Sequence, residues 1–291
     1  MPLTHARTFR VRHSECDAYG HVNNAVYLRW MQETAFDASA AAGYSLDRYA
    51  AMNRTWWAHE TQIEYLQPLT YGDSVTVKTW VADFRRVRSR RMYELHKDGT
   101  ETPVAHGYTD WAFLDMTTGR PAPIPAELIT AFFPNGAPSQ APARDPFPNP
   151  PPPPPGVFVA RRRVEFRDID PVGHLNNANY IAYAGEVGFE LSAAFGWPPE
   201  RMLAEGMGII ARQHHIEYRQ QAVFGDELEI ATWFSAPKRI SATRHYTIKR
   251  VRDGALLARV HSLYVWVDLK TLQPMRIPAH FLADFAANMA E

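Results

Sequence analysis

The sequence has 291 residues, enough for two ordinary domains or one large one, and 46% of them are apolar, which suffices for packed cores. Its 31 basic and 31 acidic side chains cancel, so composition excludes the strong positive field with which proteins gather nucleic acid or anionic membranes. The single cysteine, Cys16, excludes an intramolecular disulfide, and there is neither a signal-peptide pattern nor a span of roughly 18 apolar residues. We therefore expect a cytoplasmic protein that has no membrane span and does not bind nucleic acid.

The first predicted elements are a short strand and a long helix. Residues 9–13 predict the strand. Asn23 and Asn24 are good N-caps for a helix over residues 25–42, and Gly43 follows as its stop. Because apolar residues surround most of this helix, we expect it to be largely buried.

The remainder of the first half predicts an antiparallel meander. Alternating apolar residues and turn signals place its strands roughly at residues 56–65, 74–84, 88–97 and 103–115. A strand, a long apolar helix and a meander together predict an α+β unit in which a curved sheet wraps one helix.

A proline-rich segment divides the chain. From residue 134 to residue 155, eleven of 22 residues are proline, a composition that favours polyproline II and cannot bury a core. We therefore predict a first unit at 1–133, a linker at 134–156 and a second unit at 157–291.

The two halves are copies of one sequence pattern. A shift of 153 residues, without gaps, superimposes residues 11–132 on residues 164–285 with 36 identities over 122 positions, about 30%. Copies that have diverged this far should keep what the backbone, the packing or the chemistry demands. The densest shared block is mostly polar, and polar identity is harder to explain by packing than apolar identity.

That block carries a family resemblance. The segments DAYGHVNNAVY at 17–27 and DPVGHLNNANY at 170–180 resemble the signature of hotdog-fold thioesterases of the 4-hydroxybenzoyl-CoA thioesterase type. The segments 63–73 and 216–226, which each begin with IEY and end with GD, resemble a later strand block of that family. The resemblance implies a tandem double hotdog, whose units pair sheet to sheet as an intramolecular pseudo-dimer. It also implies hydrolysis of acyl-CoA or acyl-ACP to a free acid and a thiol. Further self-association stays open.

Hydrolysis of a thioester needs a nucleophile or a base, and donors for the oxygen that becomes anionic. Asp17 precedes the helix by about seven residues across a glycine turn, close enough for its carboxylate to fold back toward the helix N-terminus at Asn24. Asp170 and Asn177 repeat this spacing. The resemblance implies that the aspartate attacks the carbonyl or activates water, and that the backbone N–H of the asparagine forms the oxyanion hole. Alternatively, the aspartates only cap the helix or close the turn.

Two histidines and two further asparagines accompany these residues. His21 and His174 either orient and polarise the substrate or make a structural hydrogen bond. Asn23 and Asn176 are better explained as N-caps. We expect neither a cofactor nor a metal.

Basic residues concentrate at a predicted hairpin of each unit. Arg86 and Arg91 in the first copy, and Arg239 and Arg244 in the second, suit the phosphates of coenzyme A. A solvated turn is the alternative. The strand acids Glu64 and Glu217 either lie near the interface between the units or, in the simpler account, are buried in the sheet and paired with Arg91 or Arg244.

Two other functions compete with thioester hydrolysis. A hotdog dehydratase or hydratase is one, although the Asp-x-Asn-x-x-His type of motif of those enzymes is missing. A non-catalytic acyl-CoA-binding protein is the other. Release of free thiol separates the three, because only the hydrolase liberates it. The sequence leaves the acyl chain and the choice between coenzyme A and carrier protein open.

Overall fold

The computed structural model describes residues 2–138 and 143–290, so residues 139–142 of the predicted linker lie outside the described residues. The chain forms two compact units, Met1–Pro146 and Phe147–Glu291, here called unit 1 and unit 2. The boundary falls inside the proline-rich segment. None of the described helices is long and apolar enough to cross a membrane.

Unit 1 folds as one antiparallel sheet around one long helix. Its described elements are β1 (Thr4–Arg10), α1 (Asn24–Ala41), α2 (Leu46–Ala51), β2 (Arg54–Tyr65), β3 (Ser74–Phe84), β4 (Arg88–Lys97), β5 (Ala105–Asp115) and α3 (Ala126–Phe132). The strand order is β1-β3-β4-β5-β2, and every neighbouring pair is antiparallel. The predicted α+β hotdog arrangement is confirmed.

Unit 2 repeats this arrangement. Its described elements are β6 (Phe158–Arg163), α4 (Asn177–Ala194), α5 (Pro199–Ala204), β7 (Met207–Tyr218), β8 (Glu227–Ser235), β9 (Ser241–Arg250), β10 (Leu256–Asp268), α6 (Ala279–Asp284) and β11 (Met289–Ala290). The strand order is β6-β8-β9-β10-β7, again antiparallel, and β11 adds a short parallel pairing to the end of β8. The register of β10 against β7 shifts between Leu263 and Tyr264, a bulge that bends a strand.

The long helix of each unit lies on the concave side of its sheet. α1 packs against β1 and β3, and α4 packs against β6, β8 and β10. Burial is not complete, because Arg29, Glu33 and Asp37 form an outward stripe at four-residue spacing on α1. Arg7 of β1 bonds the last two, at 3.3 Å and 2.9 Å.

The first strand differs from the prediction. The predicted strand at residues 9–13 is wrong in its bounds, since β1 covers Thr4–Arg10 and pairs with β3 from Thr4 opposite Trp80 to Arg10 opposite Ser74. The chain then leaves the sheet. Residues 13–15 form a 3₁₀ turn, in which the Glu15 carboxylate accepts the N–H of Arg12 at 2.7 Å.

Residues on either side of the unit boundary in the proline-rich segment pack on their own units. On unit 1, Arg144 makes ion pairs with Asp83 and, at 3.5 Å, with Asp110. On unit 2, the ring of Phe147 packs in a tilted arrangement against His215, with 4.7 Å between ring centroids. The amide of Gly156 donates to the carbonyl of Ala287 at 2.9 Å.

Candidate functional site

A tight hairpin carries the first shared aspartate. The N–H of Asn23 donates to the carbonyl of Glu15 at 2.9 Å, and the N–H of Asp17 donates to the carbonyl of His21 at 2.8 Å. Asp17 therefore lies at the tip of the hairpin, and the helix begins at its base. The turn closes through Gly20, whose φ of 77° is a conformation that glycine adopts without steric cost.

The carboxylate of Asp17 closes this turn with one of its oxygens. Its Oδ1 accepts the backbone N–H of Tyr19 at 2.9 Å and that of His21 at 3.3 Å. Its Oδ2 makes no hydrogen bond to any residue that the structure describes, and the side chain is exposed. Turn closure thus uses one oxygen and leaves the other for chemistry.

Unit 2 builds the same hairpin with a different sequence at its tip. The N–H of Asp170 donates to the carbonyl of His174 at 2.9 Å. The Oδ1 of Asp170 accepts the N–H of Val172 at 3.0 Å and that of His174 at 3.5 Å. Gly173 takes a φ of 90°. Because Ala-Tyr and Pro-Val adopt one geometry here, the aspartate and the glycine determine this turn.

The helix N-terminus lies at the base of each hairpin. The side chains of Asn23 and Asn176 accept the N–H of Ala25 and of Ala178, each at 3.0 Å, which confirms both predicted N-caps. Asn24 and Asn177 are the first helical residues. The N–H groups in the first turn of a helix have no partner within the helix, and they lie at the positive end of its dipole. Asp17 lies two residues along the chain from Glu15, which pairs with Asn23 at the base of the hairpin, and two residues of extended chain span about 7 Å.

A tyrosine from the sheet clamps each helix start. The hydroxyl of Tyr65 donates to the carbonyl of Asn24 at 3.1 Å, and that of Tyr218 donates to the carbonyl of Asn177 at the same distance. The Tyr65 ring also meets the ring of Tyr27 edge-on, with 5.1 Å between centroids. Sequence reasoning assigned these tyrosines no role at the site, although both copies keep them in the IEY block.

The two histidines touch the aspartate turn through their main chains. The amides of His21 and His174 donate to the carboxylates, as described above. Both side chains are half-buried. Burial lowers the pKa of His174, and the nearby Asp170 partly offsets this effect.

The two hairpins differ at their bases. In unit 2, the Asp168 Oδ2 accepts the Tyr183 hydroxyl at 2.6 Å, and the Asn179 amide donates to the Asp168 carbonyl at 3.0 Å. In unit 1, the corresponding residue is Glu15, whose carboxylate bonds within its own turn. Side chains of α4 therefore hold the unit 2 hairpin, a support that unit 1 replaces with a local bond.

The predicted arginine cluster divides into exposed and buried members. Arg86 and Arg239 are exposed in the hairpin loops. Arg91 and Arg244 are only 6% and 4% exposed, because the alternation along β4 and β9 turns them toward the helix side of the sheet. Arg91 and Arg244 therefore do not lie at the surface of the hairpins, and a contact with a phosphate stays a prediction for them. Arg91 instead donates to the Thr79 hydroxyl at 3.4 Å.

The strand acids do not pair with these buried arginines. Glu217 accepts two hydrogen bonds from Arg259, at 2.9 Å and 2.7 Å, and forms an ion pair with Arg219 at 2.8 Å. Glu64 lies 3.5 Å from His106. The expected pairs with Arg244 and Arg91 are wrong, because the strand register places other basic residues directly opposite the acids.

Histidines of unit 2 occupy both faces of its sheet. His214 bonds the Ser262 hydroxyl at 2.7 Å, and burial lowers its pKa to about 4. His215 packs on Phe147, on the opposite face. Within the described ranges, no group of three or more His, Cys, Asp or Glu side chains is arranged to hold a metal ion.

Comparison with known proteins places these observations in a family. Residues 11–132 and 164–285 each match the sequence model of the thioesterase-like superfamily, which is the register of the internal repeat. Among curated proteins, the chain is 22% identical over 266 residues to the chloroplastic acyl-[acyl-carrier-protein] hydrolase FATB2 of Cuphea viscosissima, covering 88% of this chain and 61% of that protein. It is 26% identical over 123 residues to the acyl-CoA thioester hydrolase YbgC of Escherichia coli, covering 42% of this chain and 91% of that protein.

A solved structure supports the fold over the whole chain. The 12:0-ACP thioesterase from Umbellularia californica superimposes with a TM-score of 0.69 and 17% identity, covering 93% of this chain and 94% of that one. The chain thus shares the fold of that protein over most of its length, whereas it spans 61% of the length of the FATB2 hydrolase.

Proposed function

The chain belongs to the thioesterase-like superfamily, and on that premise we propose that it hydrolyses an acyl thioester of coenzyme A or of acyl carrier protein to a free acid and a thiol. The observation that carries this proposal is the repeated hairpin. In both units an aspartate is locked by one carboxylate oxygen at the tip of a turn, and an 18-residue helix begins at the base of that turn.

The proposed reaction uses the two ends of the hairpin for different tasks. The substrate carbonyl oxygen points at the helix N-terminus at Asn24 or Asn177, where backbone N–H groups and the helix dipole stabilise the charge of the tetrahedral intermediate. The Oδ2 of Asp17 or Asp170 either attacks the carbonyl carbon or removes a proton from water that attacks it.

Both routes have the same balance. In the water route, the C–O bond to water forms, the C–S bond breaks, and the proton taken by the aspartate passes to the departing thiolate. In the direct route, the aspartate oxygen bonds to the carbonyl carbon, the C–S bond breaks and the thiolate leaves. Water then hydrolyses the mixed anhydride, which restores the aspartate carboxylate, and the proton released from that water protonates the thiolate. In this proposal the substrate carbonyl group, and in the water route one water molecule, lies between the carboxylate and the helix end.

The histidines and the exposed arginines have supporting parts in this proposal. His21 and His174 hold the carboxylates through their amides, so they are positioning residues. Arg86 and Arg239 are exposed and remain candidates for the phosphates of the carrier. Replacing either arginine with alanine should raise KM for acyl-CoA and leave kcat unchanged, because a phosphate contact far from the carbonyl binds substrate and transition state alike.

Thiol release, followed with a chromogenic thiol reagent across acyl chain lengths and aryl thioesters, tests the proposal. Hydrolysis by the parent chain that is lost in the double variant Asp17→Asn, Asp170→Asn supports it. Acyl-CoA binding without thiol release points to the non-catalytic binding protein. Consumption of an enoyl or hydroxyacyl thioester with the thioester bond intact points to the hydratase or dehydratase.

A further inference from the structure

Arg244 carries a buried guanidinium edge without a partner. The residue is 4% exposed, and its Nε and Nη2 are buried and make no hydrogen bond to any residue that the structure describes. No described carboxylate lies within ion-pair distance of it. Leaving a charged donor buried and unpaired is among the costliest arrangements in a protein core. The arrangement therefore indicates a ligand that supplies the missing acceptor.

A second buried arginine shows what this edge normally binds. In unit 1, Arg90 donates from Nε to Oδ1 of Asp110 and from Nη2 to Oδ2, each at 2.8 Å. The Nε and Nη2 hydrogens are parallel and match the spacing of two carboxylate oxygens. Arg244 presents the same two nitrogens, but the chain provides no carboxylate opposite them.

The equivalent position of unit 1 makes the contrast sharper. Arg91, which corresponds to Arg244 by the repeat, donates to the hydroxyl of Thr79. In unit 2 the corresponding Thr232 is fully buried, and its Oγ1 also has no hydrogen-bond partner. Unit 2 therefore leaves a guanidinium edge and a hydroxyl unpaired on the side of its sheet that faces α4.

Neighbouring residues orient the guanidinium. Its Cζ lies 4.2 Å from the ring centroid of Phe234 and 5.2 Å from that of Tyr264. On α4, a Cβ at Gly188 would lie 2.4 Å from the Arg244 Nη1, and unit 1 has Ala35 at the equivalent position. The missing Cβ admits the guanidinium against the helix, and the two rings pack close to it. Nε and Nη2 remain the nitrogens without an acceptor.

We propose that the interior of unit 2, beneath Gly188 of α4, binds a carboxylate on the Nε and Nη2 edge of Arg244. The ligand differs from the coenzyme A phosphates expected from sequence, because a buried fork selects a small planar anion. The carboxylate has two sources: a free short-chain acid, or the distal end of an acyl group that carries a second carboxyl. The second source rests on the proposed function, and the first does not.

Carbon-13 formate and acetate, titrated by NMR at constant ionic strength with sodium chloride, test the site without any activity. We expect saturable binding to the parent chain and at least a tenfold weaker binding to Arg244→Lys, which keeps the charge and loses the fork. Arg91→Lys is the matched control and should bind as the parent does. Absence of saturable binding, or equal binding by Arg244→Lys, overturns the proposal. Circular dichroism of each variant confirms folding.

Thiol release separates the two sources. Adipoyl-CoA and hexanoyl-CoA have equal chain lengths and differ in the distal carboxylate. If the acyl group supplies the carboxylate, Arg244→Lys lowers kcat/KM for adipoyl-CoA at least tenfold more than for hexanoyl-CoA. If a free acid supplies it, the two values fall together while formate binding is still lost. If the chain binds formate but releases no thiol, the proposed carboxylate site stands and only the proposed hydrolase function is refuted.

Discussion

The hydroxyl of Tyr65 donates a hydrogen bond to the carbonyl of Asn24 across 3.1 Å, and so ties the last residue of β2 to the first residue of α1. Tyr218 repeats the contact with Asn177 in unit 2. The carbonyl belongs to the residue whose N–H we assign to the oxyanion hole. The sheet therefore sets the position of the helix end on which the proposed chemistry depends.

Replacing Tyr65 with phenylalanine should loosen this helix end while keeping the ring. We expect a loss of about 1 kcal/mol in the free energy of unfolding, the usual contribution of one hydrogen bond. In a chain whose unit 2 site is silenced by Asp170→Asn, we expect a roughly tenfold drop in kcat. Urea unfolding and thiol release measure the two effects. Tyr71→Phe, at a residue 61% exposed, is the control, and a drop of the same size there would contradict the assignment.

The aspartates should act independently in the two units. Asp→Asn keeps the Oδ1 that accepts the turn amides, so folding is preserved, but it removes the base or nucleophile. Each altered site should slow on the order of a hundredfold or more. Asp17→Asn and Asp170→Asn should each leave roughly half the thiol release if the two sites are equal, and the double variant should leave almost none.

The control for this pair is another turn aspartate. The Oδ1 of Asp268 accepts the N–H of Lys270 at 2.9 Å and that of Thr271 at 2.8 Å, a geometry similar to that of the site aspartates. Asp268→Asn should keep full activity. Parental activity in the double variant would refute the catalytic role. Loss of nearly all activity in one single variant would refute the two-site assignment only.

Acid should destabilise unit 2 through its buried histidines. Burial lowers the pKa of His214 to about 4, and burial together with the nearby His261 lowers that of His245 to about 4. The unfolded histidines titrate near 6.5, so between pH 6.5 and 4 the unfolded state binds more protons. The free energy of unfolding should therefore decrease as the pH is lowered across that window, by up to about 1.4 kcal/mol per pH unit for each histidine.

His214→Thr isolates one of these contributions. Unit 1 has Thr61 at this position, bonded to Thr109 at 3.1 Å, so the repeat itself provides the replacement. The variant should reduce the pH slope of unfolding free energy by about 1 kcal/mol per pH unit between pH 6 and pH 4.5. Urea unfolding at several pH values measures the slope. An unchanged slope would show that His214 is not buried in its neutral form.

Two glycines of α4 should respond to alanine in opposite ways. A Cβ at Gly188 would lie 2.4 Å from the Arg244 guanidinium, whereas one at Gly185 would meet nothing within 4 Å. Gly188→Ala should lower the free energy of unfolding by about 1–3 kcal/mol through overpacking. Gly185→Ala should raise it by about 0.5–1 kcal/mol through helix propensity. Thermal unfolding of both variants decides whether Arg244 packs against Gly188.

Patterns in the sequence predicted much of the fold. The 153-residue repeat gave the tandem arrangement, alternation gave the meander, and the shared asparagines gave the helix starts and their caps. The meander and the helix starts depend on neighbours within a few residues, which propensity and turn chemistry report directly. The strand at 9–13 failed because pairing with β3, and not local propensity, ends β1 at Arg10.

The sequence by itself determined which residues the two units share, and therefore that Asp17 and Asp170 occupy the same turn. Only the tertiary structure decided which contacts those residues make: the register between strands placed Arg259, and not Arg244, beside Glu217, and the sheet brought Tyr65 to Asn24. The physical reason is that a strand's alternation tells which side chains share a face, while the partner across the sheet depends on register and on bulges set by the whole fold. Burial of Arg244 against Gly188 joins residues 56 positions apart, and no local pattern reports it.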